Sequence, residues 1–174
     1  MRLTHLTASA ALSALLAGAP VALAASDSDL QGVESAKMTL SQAIMAAQKS
    51  DNGKAIFAKY ETHNGVGNYV VTIVGANGQK DTVNVDPQTG QATKAAETSS
   101  GSSSQAGAQT IENAKVGLTQ AIQTAEAKGG GKAMRATLDT EKGKTAYKIE
   151  LANGNKSDTV WVDANSGSII NRSS

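Results

Sequence analysis

Cysteine is absent from the 174-residue chain. Its absence excludes disulfide bonds, thiol catalysis and cysteine-held zinc or iron–sulfur sites. A dominant charge of one sign is also missing, since 16 Lys and Arg stand against 15 Asp and Glu. An electrostatic nucleic-acid binder needs a basic field, so we expect no nucleic-acid partner.

Aromatic residues and prolines are scarce. The chain has one Phe, one Trp, three Tyr and two Pro, against 17 Gly. Aromatic side chains supply much of the burial in a large core, so their shortage favours two small cores over one large core. With so few prolines, the turns must be formed mainly by Gly and Asn.

The first residues have the pattern of a secretory signal peptide. Arg2 provides a positive start, residues 6–16 form a short apolar stretch, and residues 22–24 read Ala-Leu-Ala, as at a cleavage site. The apolar stretch is too short for a comfortable transmembrane helix, so we expect no stable membrane insertion after cleavage. The sequence therefore predicts a signal peptide over residues 1–24 and an exported mature protein, periplasmic or secreted.

An internal repeat organises the rest of the chain. Ala36–Ile44 matches Ala114–Ile122, with an offset of about 78 residues that continues, apart from a short gap, to the end of each copy. The stretch between the copies is rich in Ser, Gly and Ala, as in a flexible linker. The predicted organisation is a polar spacer over residues 25–35, a first domain over 36–94, a Ser/Gly-rich linker over 95–110 and a second domain over 111–174.

Each copy has the pattern of one helix followed by strands. Thr39 and Gln42 form a capping-box pattern at the helix start, with apolar residues behind them at helical spacing. Period-2 alternation follows, interrupted by Asn-Gly turn signals at residues 77–78 and 153–154. The sequence predicts the α+β class, with each repeat an N-terminal helix packed on a three- to four-stranded antiparallel β-meander.

The order of these elements resembles the PepSY domain. Both helices read Leu-x-x-Ala-Ile, at residues 40–44 and 118–122, and both copies contain Val-x-Val-Asp-x-x-Thr/Ser-Gly, at residues 83–90 and 160–167. PepSY domains occur in propeptides of thermolysin-type metallopeptidases and in many exported bacterial proteins. The resemblance implies a non-catalytic module that binds or inhibits peptidases or acts in sensing at the cell envelope, with no catalytic residue to carry over.

The outward-facing strand positions are the best candidates for binding a partner. Alternation turns Tyr60, Tyr69 and Tyr147 inward but leaves two aromatic residues on the outer face of the sheet. Exposed apolar patches of this kind often mark interfaces. The alternative is that the two outer faces pack on each other or that a loop covers them. The predicted partner-binding residues are Phe57, Val70, Thr72, Val74, Arg135 and Trp161.

The remaining polar candidates have simpler structural interpretations. His63 lies in a polar loop without a visible partner cluster, and the serines at 99–104 lack any acid–base partner. Asp86 and Asp163 are expected to bond backbone N–H groups in turns, the alternative being calcium ligands. We expect no catalytic residue, resident metal or cofactor.

The function that follows is binding of an exported protein, with a peptidase as the candidate partner. An exposed strand edge would add β-augmentation to this surface. The alternative is an envelope sensor that binds a small ligand or calcium at the turn aspartates. The sequence leaves the oligomeric state open.

Overall fold

The computed structural model describes residues 26–95, 111 and 114–173. These residues form three helices and eight strands, which confirms the predicted α+β class. The predicted signal peptide and nearly all of the predicted linker lie outside the described residues. The helices are α1 (Asp27–Ser35), α2 (Leu40–Ser50) and α3 (Leu118–Gly129). The strands are β1 (Lys54–His63), β2 (Val66–Val74), β3 (Lys80–Val85), β4 (Ala92–Lys94), β5 (Lys132–Glu141), β6 (Lys144–Asn153), β7 (Lys156–Asp163) and β8 (Ile169–Ser173).

The predicted capping box starts α2. The Thr39 hydroxyl accepts a hydrogen bond from the Gln42 backbone N–H at 3.2 Å, and the Gln42 side chain accepts one from the Thr39 N–H at 2.9 Å. Two backbone donors at the helix start are thereby satisfied. No helix in residues 26–95 and 114–173 is long and apolar enough to cross a bilayer.

All eight strands belong to one antiparallel sheet, in the order β4-β3-β2-β1-β5-β6-β7-β8. The two repeats meet where β1 pairs with β5, through Phe57–Thr137, Ala58–Ala136 and Lys59–Arg135. The repeat offset exchanges the first of these pairs with the third and carries the second onto itself. A pseudo-twofold axis therefore passes through the Ala58–Ala136 pair, and the chain is built like a symmetric dimer joined by a linker. We call the β1–β5 contact the seam.

A single hydrophobic core spans both repeats, so the prediction of two small cores is wrong. The core includes Leu40 and Ile44 of α2, Leu118 and Ile122 of α3, and the inward side chains of both sets of strands. Pairing at the seam makes the inner face of the sheet continuous, and the helices cover it as one layer. Three tyrosines were predicted to turn inward, and all are buried: Tyr60, Tyr69 and Tyr147.

Residues 27–35 form helix α1, so the predicted polar spacer is wrong for this stretch. Leu30 and Val33 on one face of α1 are buried in the core. Polar contacts fix the helix to both repeats: the Asp29 carboxylate accepts from the Thr62 N–H at 2.7 Å, and the Lys132 ammonium donates to the Glu34 carbonyl at 2.6 Å. The composition of this stretch did not indicate a helix, because only two of its residues are large and apolar.

The repeat also begins earlier than residue 36. Val33–Lys37 reads Val-Glu-Ser-Ala-Lys, and Ile111–Lys115 reads Ile-Glu-Asn-Ala-Lys at the same offset. Val33 and Ile111 are both buried. Ile111 lines a pocket with Lys54 of the first repeat, just as the segment after Val33 bonds Lys132 of the second. The residues before each repeat therefore contact the opposite repeat.

Candidate functional site

The face of the sheet opposite the helices carries the predicted partner-binding residues. The helices contribute their buried side chains to the core on the inner face. Tyr69, Val71 and Ile73 are fully buried on that inner face, whereas the intervening Val70 and Thr72 are only half-buried. This is the alternation that the sequence predicted. We call this side of the sheet the outer face.

Phe57 and Trp161 lie in one row that crosses the outer face. Phe57 is paired with Thr137 across the seam, Thr137 with Lys148, and Lys148 with Trp161. Three strand spacings separate the two aromatic residues, a distance of about 14 Å. Both aromatic side chains are half-buried, so each keeps part of its surface accessible. The tertiary structure thus places the lone Phe and the lone Trp of the chain on one surface that spans both repeats.

Arg135 contacts Phe57 at the seam. Its guanidinium carbon lies 6.0 Å from the centroid of the Phe57 ring, within the range of a cation–π interaction. The guanidinium also lies 3.9 Å from the carboxylate of Glu150, which is equally far from the Lys148 ammonium. Four side chains from three strands therefore form one connected group at the centre of the outer face.

Two of the predicted site residues contribute less. Val70 is half-buried and lies opposite Lys59 on β1, so it extends the apolar surface beside the seam only partly. Val74 is only 6% exposed, which contradicts its predicted place in an exposed patch. It lies at the end of β2, where it lines a pocket together with Ile111. The segment that precedes the second repeat therefore reaches the end of β2 near Val74.

Sequence reasoning missed Lys59 as a member of the site. Lys59 lies directly opposite Arg135 across the seam and forms an ion pair with Glu61. The alternation in β1 already placed Lys59 on the outer face. Its neighbour could not be identified, because the pairing of β1 with β5 joins residues of different repeats.

Asp86 and Asp163 are turn residues, as predicted. One carboxylate oxygen of Asp86 accepts from the N–H groups of Gln88 and Thr89, at 2.7 and 2.8 Å. Asp163 does the same with Asn165 and Ser166, at 2.8 and 2.9 Å. These backbone hydrogen bonds favour the charged form and lower the pKa of both carboxyls below the ordinary value.

We expect these two turns to make stability depend on acid pH. A carboxyl whose pKa is lower in the folded state stabilises the fold above its ordinary pKa of about 3.9 and loses that contribution as the pH falls through the folded-state value. The double variant Asp86→Asn/Asp163→Asn keeps an oxygen acceptor without the titration. Urea unfolding between pH 7 and pH 2 should show a flatter acid limb for the variant than for the wild type. If the variant and the wild type lose the same stability at acid pH, other carboxyls are responsible for acid unfolding.

The other polar candidates stay isolated. His63 is exposed at the end of β1, and the serines at 99–104 lie outside the described residues. Within residues 26–95, 111 and 114–173, no group of three or more His, Asp or Glu side chains could hold a metal ion. The structure therefore offers no observation that favours a calcium site at the turn aspartates.

Comparison with known proteins identifies a family that matches both repeats. The family model described as "Peptidase propeptide and YPEB domain", PepSY, matches residues 37–95 and again residues 115–172. No curated protein matches the chain. Among solved structures, a candidate lipoprotein from Clostridium difficile 630 is 18% identical and has a TM-score of 0.47. The match covers 79% of this chain and 93% of that chain.

Proposed function

The chain belongs to the PepSY family, with one copy of the domain in each repeat, and we propose that it is an exported, non-catalytic module that binds another exported protein through the outer face. Its compartment would be the periplasm or the outside of the cell. The signal-peptide pattern of residues 1–24 supports export, and PepSY domains are typical of exported proteins.

The row from Phe57 to Trp161 is the observation that carries this proposal. It combines two partly accessible aromatic side chains with an arginine already held against one of them. Trp, Tyr and Arg dominate the residues that contribute most to protein interfaces. A side chain held in place before binding loses less conformational entropy when the complex forms. The outer face of a sheet therefore suits a protein partner better than a small molecule, which prefers a concave site.

A peptidase is the candidate partner because the family is described by its occurrence as a peptidase propeptide. A propeptide-like module acts by covering its target. It therefore needs a surface complementary to the target rather than catalytic residues. The more specific form of the proposal is that the chain inhibits the peptidase that it binds.

The double variant Phe57→Ser/Trp161→Ser tests the proposed surface. Loss of two interface anchors should weaken capture of the partner at least about thirtyfold, because a single such anchor contributes roughly 2 kcal/mol or more. The wild-type chain, immobilised, would be exposed to periplasmic extract and culture supernatant, and bound proteins identified by mass spectrometry. Binding of the identified partner would then be measured with purified protein. Circular dichroism should show that the variant remains folded.

Met45→Ser is the matched control for this experiment. Met45 is 46% exposed on α2, in the helix layer, so the control removes an accessible apolar side chain from the other side of the molecule. Capture that survives in the outer-face variant, or that falls equally in the control, would count against the outer face. The peptidase form is tested separately, by adding the wild-type chain to a purified thermolysin-type metallopeptidase and following hydrolysis of a peptide substrate. Undiminished hydrolysis at high excess would refute inhibition of that class.

A further inference from the structure

Two cations face each other across the seam on the outer face. Lys59 of β1 and Arg135 of β5 are direct cross-strand partners in the antiparallel pair. Like charges directly opposite each other destabilise a sheet. Their side chains are 29% and 31% exposed, so solvent screens them only in part. The seam therefore retains an unfavourable pair where the strands of the two repeats join.

The neighbouring carboxylates do not balance this charge. Lys148, one strand beyond Arg135, adds a third cation and is 40% exposed. Glu150 lies 3.9 Å from both Arg135 and Lys148, and Glu61 pairs with Lys59. Around Arg135, three cations thus share two carboxylates. The other carboxylates on the outer face of β5, Asp139 and Glu141, lie farther from the Lys59–Arg135 pair.

The fold itself does not require the two cations. The pseudo-twofold axis relates the position of Lys59 to that of Thr137 and the position of Arg135 to that of Phe57. The same chain therefore fills each of these positions with a neutral side chain in its other repeat. Residues that destabilise the fold locally, and that the fold does not require, are expected at functional sites.

We propose that the outer face binds an extended acidic segment of its protein partner. This inference rests on the proposed function and adds the chemistry of the partner. In an extended segment every second side chain points the same way. The first and fifth residues therefore point the same way and lie about 13 Å apart, close to the separation of Phe57 and Trp161. Apolar side chains at the first and fifth positions of the segment then contact the two aromatic residues. An acidic side chain at the third position lies nearest Lys148, with Arg135 and Lys59 in the adjacent cross-strand row.

Trp161 provides a local readout, since it is the only tryptophan of the chain. The probe is a blocked peptide, Gly-Leu-Ser-Glu-Ser-Leu-Gly, titrated into the full mature chain while the tryptophan emission is recorded. Its partner peptide carries Gln in place of Glu. We expect a saturable change in emission with the Glu peptide, and binding of the Gln peptide that is several-fold weaker. Added salt should weaken binding of the Glu peptide and leave the Gln peptide almost unaffected.

The variant Lys59→Gln/Arg135→Gln should bind the Glu peptide about tenfold more weakly, because each exposed ion pair contributes roughly two- to fivefold. The control Lys49→Gln/Lys128→Gln changes the net charge equally on exposed helix residues and should bind like the wild type. Equal binding of the two peptides, or equal loss in the two variants, would overturn the acidic-segment proposal. So would an emission change that follows protein concentration without peptide, because a second copy of the chain would then occupy the face.

The two proposals fail in different ways. Suppose that the partner identified in the capture experiment binds the Lys59→Gln/Arg135→Gln variant as tightly as the wild type. If it then loses binding to Phe57→Ser/Trp161→Ser, the outer face is the binding surface and only the acidic chemistry is wrong. If it binds both variants like the wild type, both proposals are wrong.

Discussion

Ala136→Asp is expected to destabilise the protein by about 4 kcal/mol or more, because it places a carboxyl in the shared core. Ala136 is fully buried, and so is Ala58, its partner across the seam. An aspartate there must either stay charged without a partner or take up a proton far above its ordinary pKa. Either course costs free energy that is absent in the unfolded chain. Urea unfolding followed by circular dichroism measures the loss.

Thr137→Asp is the matched control for this substitution. Thr137 is the next residue of β5, and its side chain lies on the outer face opposite Lys148. The same carboxyl remains in contact with water there and faces a cation, so the free energy of unfolding should change by less than about 1 kcal/mol. If both variants lost equal stability, the seam would not separate a buried face from an accessible one. If the two repeats unfolded in separate transitions, the single shared core would be contradicted.

Replacing Tyr69 or Tyr147 by alanine is expected to cost about 3–5 kcal/mol in each case, the range for deleting a large buried aromatic ring. The two tyrosines occupy equivalent positions in β2 and β6, and both are buried. Each phenol donates a hydrogen bond of 2.6 Å to the carbonyl of a residue that precedes a helix, Met38 in the first repeat and Val116 in the second. Burial raises the pKa of Tyr147 to about 12 and that of Tyr69 above its ordinary value as well.

The tyrosine-to-phenylalanine variants separate the hydrogen bond from the ring. Tyr69→Phe and Tyr147→Phe keep the packing and remove the partner of one carbonyl, which is part-buried at Met38 and buried at Val116, so each should cost about 1–3 kcal/mol. The equivalence of the repeats predicts similar losses at the two positions. A loss confined to one of them, measured by urea unfolding, would show that the two halves of the core do not contribute alike.

Much of the fold follows from local patterns. The capping box at Thr39 and the turn at Asp163 depend on neighbouring residues, so the sequence predicts them directly. The predicted Asn-Gly turn of the second repeat is displaced by one residue, because Asn153 pairs with Lys156 and the loop is formed by residues 154–155. Strict alternation back from the buried Ala58 and Tyr60 would turn Ile56 inward, and the structure departs from it there. The pairing of β1 with β2 shifts between Ala55 and Phe57, so Ile56 lies in a β-bulge and is half-buried. A bulge depends on the partner strand, which the local pattern does not contain.

The candidate site shows the same division. Phe57 and Trp161 could be assigned to an outer face because alternation within one strand decides which side a residue takes. Their common row, the contact between Phe57 and Arg135 and the opposition of Lys59 and Arg135 all depend on which strands are neighbours. Val74 was placed on the exposed patch because the sequence does not show which segment packs at the end of β2.

By itself the sequence determined two repeats, their helix-and-strand order, most of their turns and the side of the sheet that most strand residues occupy. All of these are fixed by interactions among residues close together in the chain. Only the tertiary structure decided that β1 pairs with β5, that α1 belongs to the core and that the two repeats share one hydrophobic interior. Those outcomes depend on which strand edge and which apolar surface of the first repeat contact the second repeat. A local sequence pattern does not contain that information. The shortage of aromatic residues is accommodated by pooling the apolar side chains of two small repeats behind one continuous sheet.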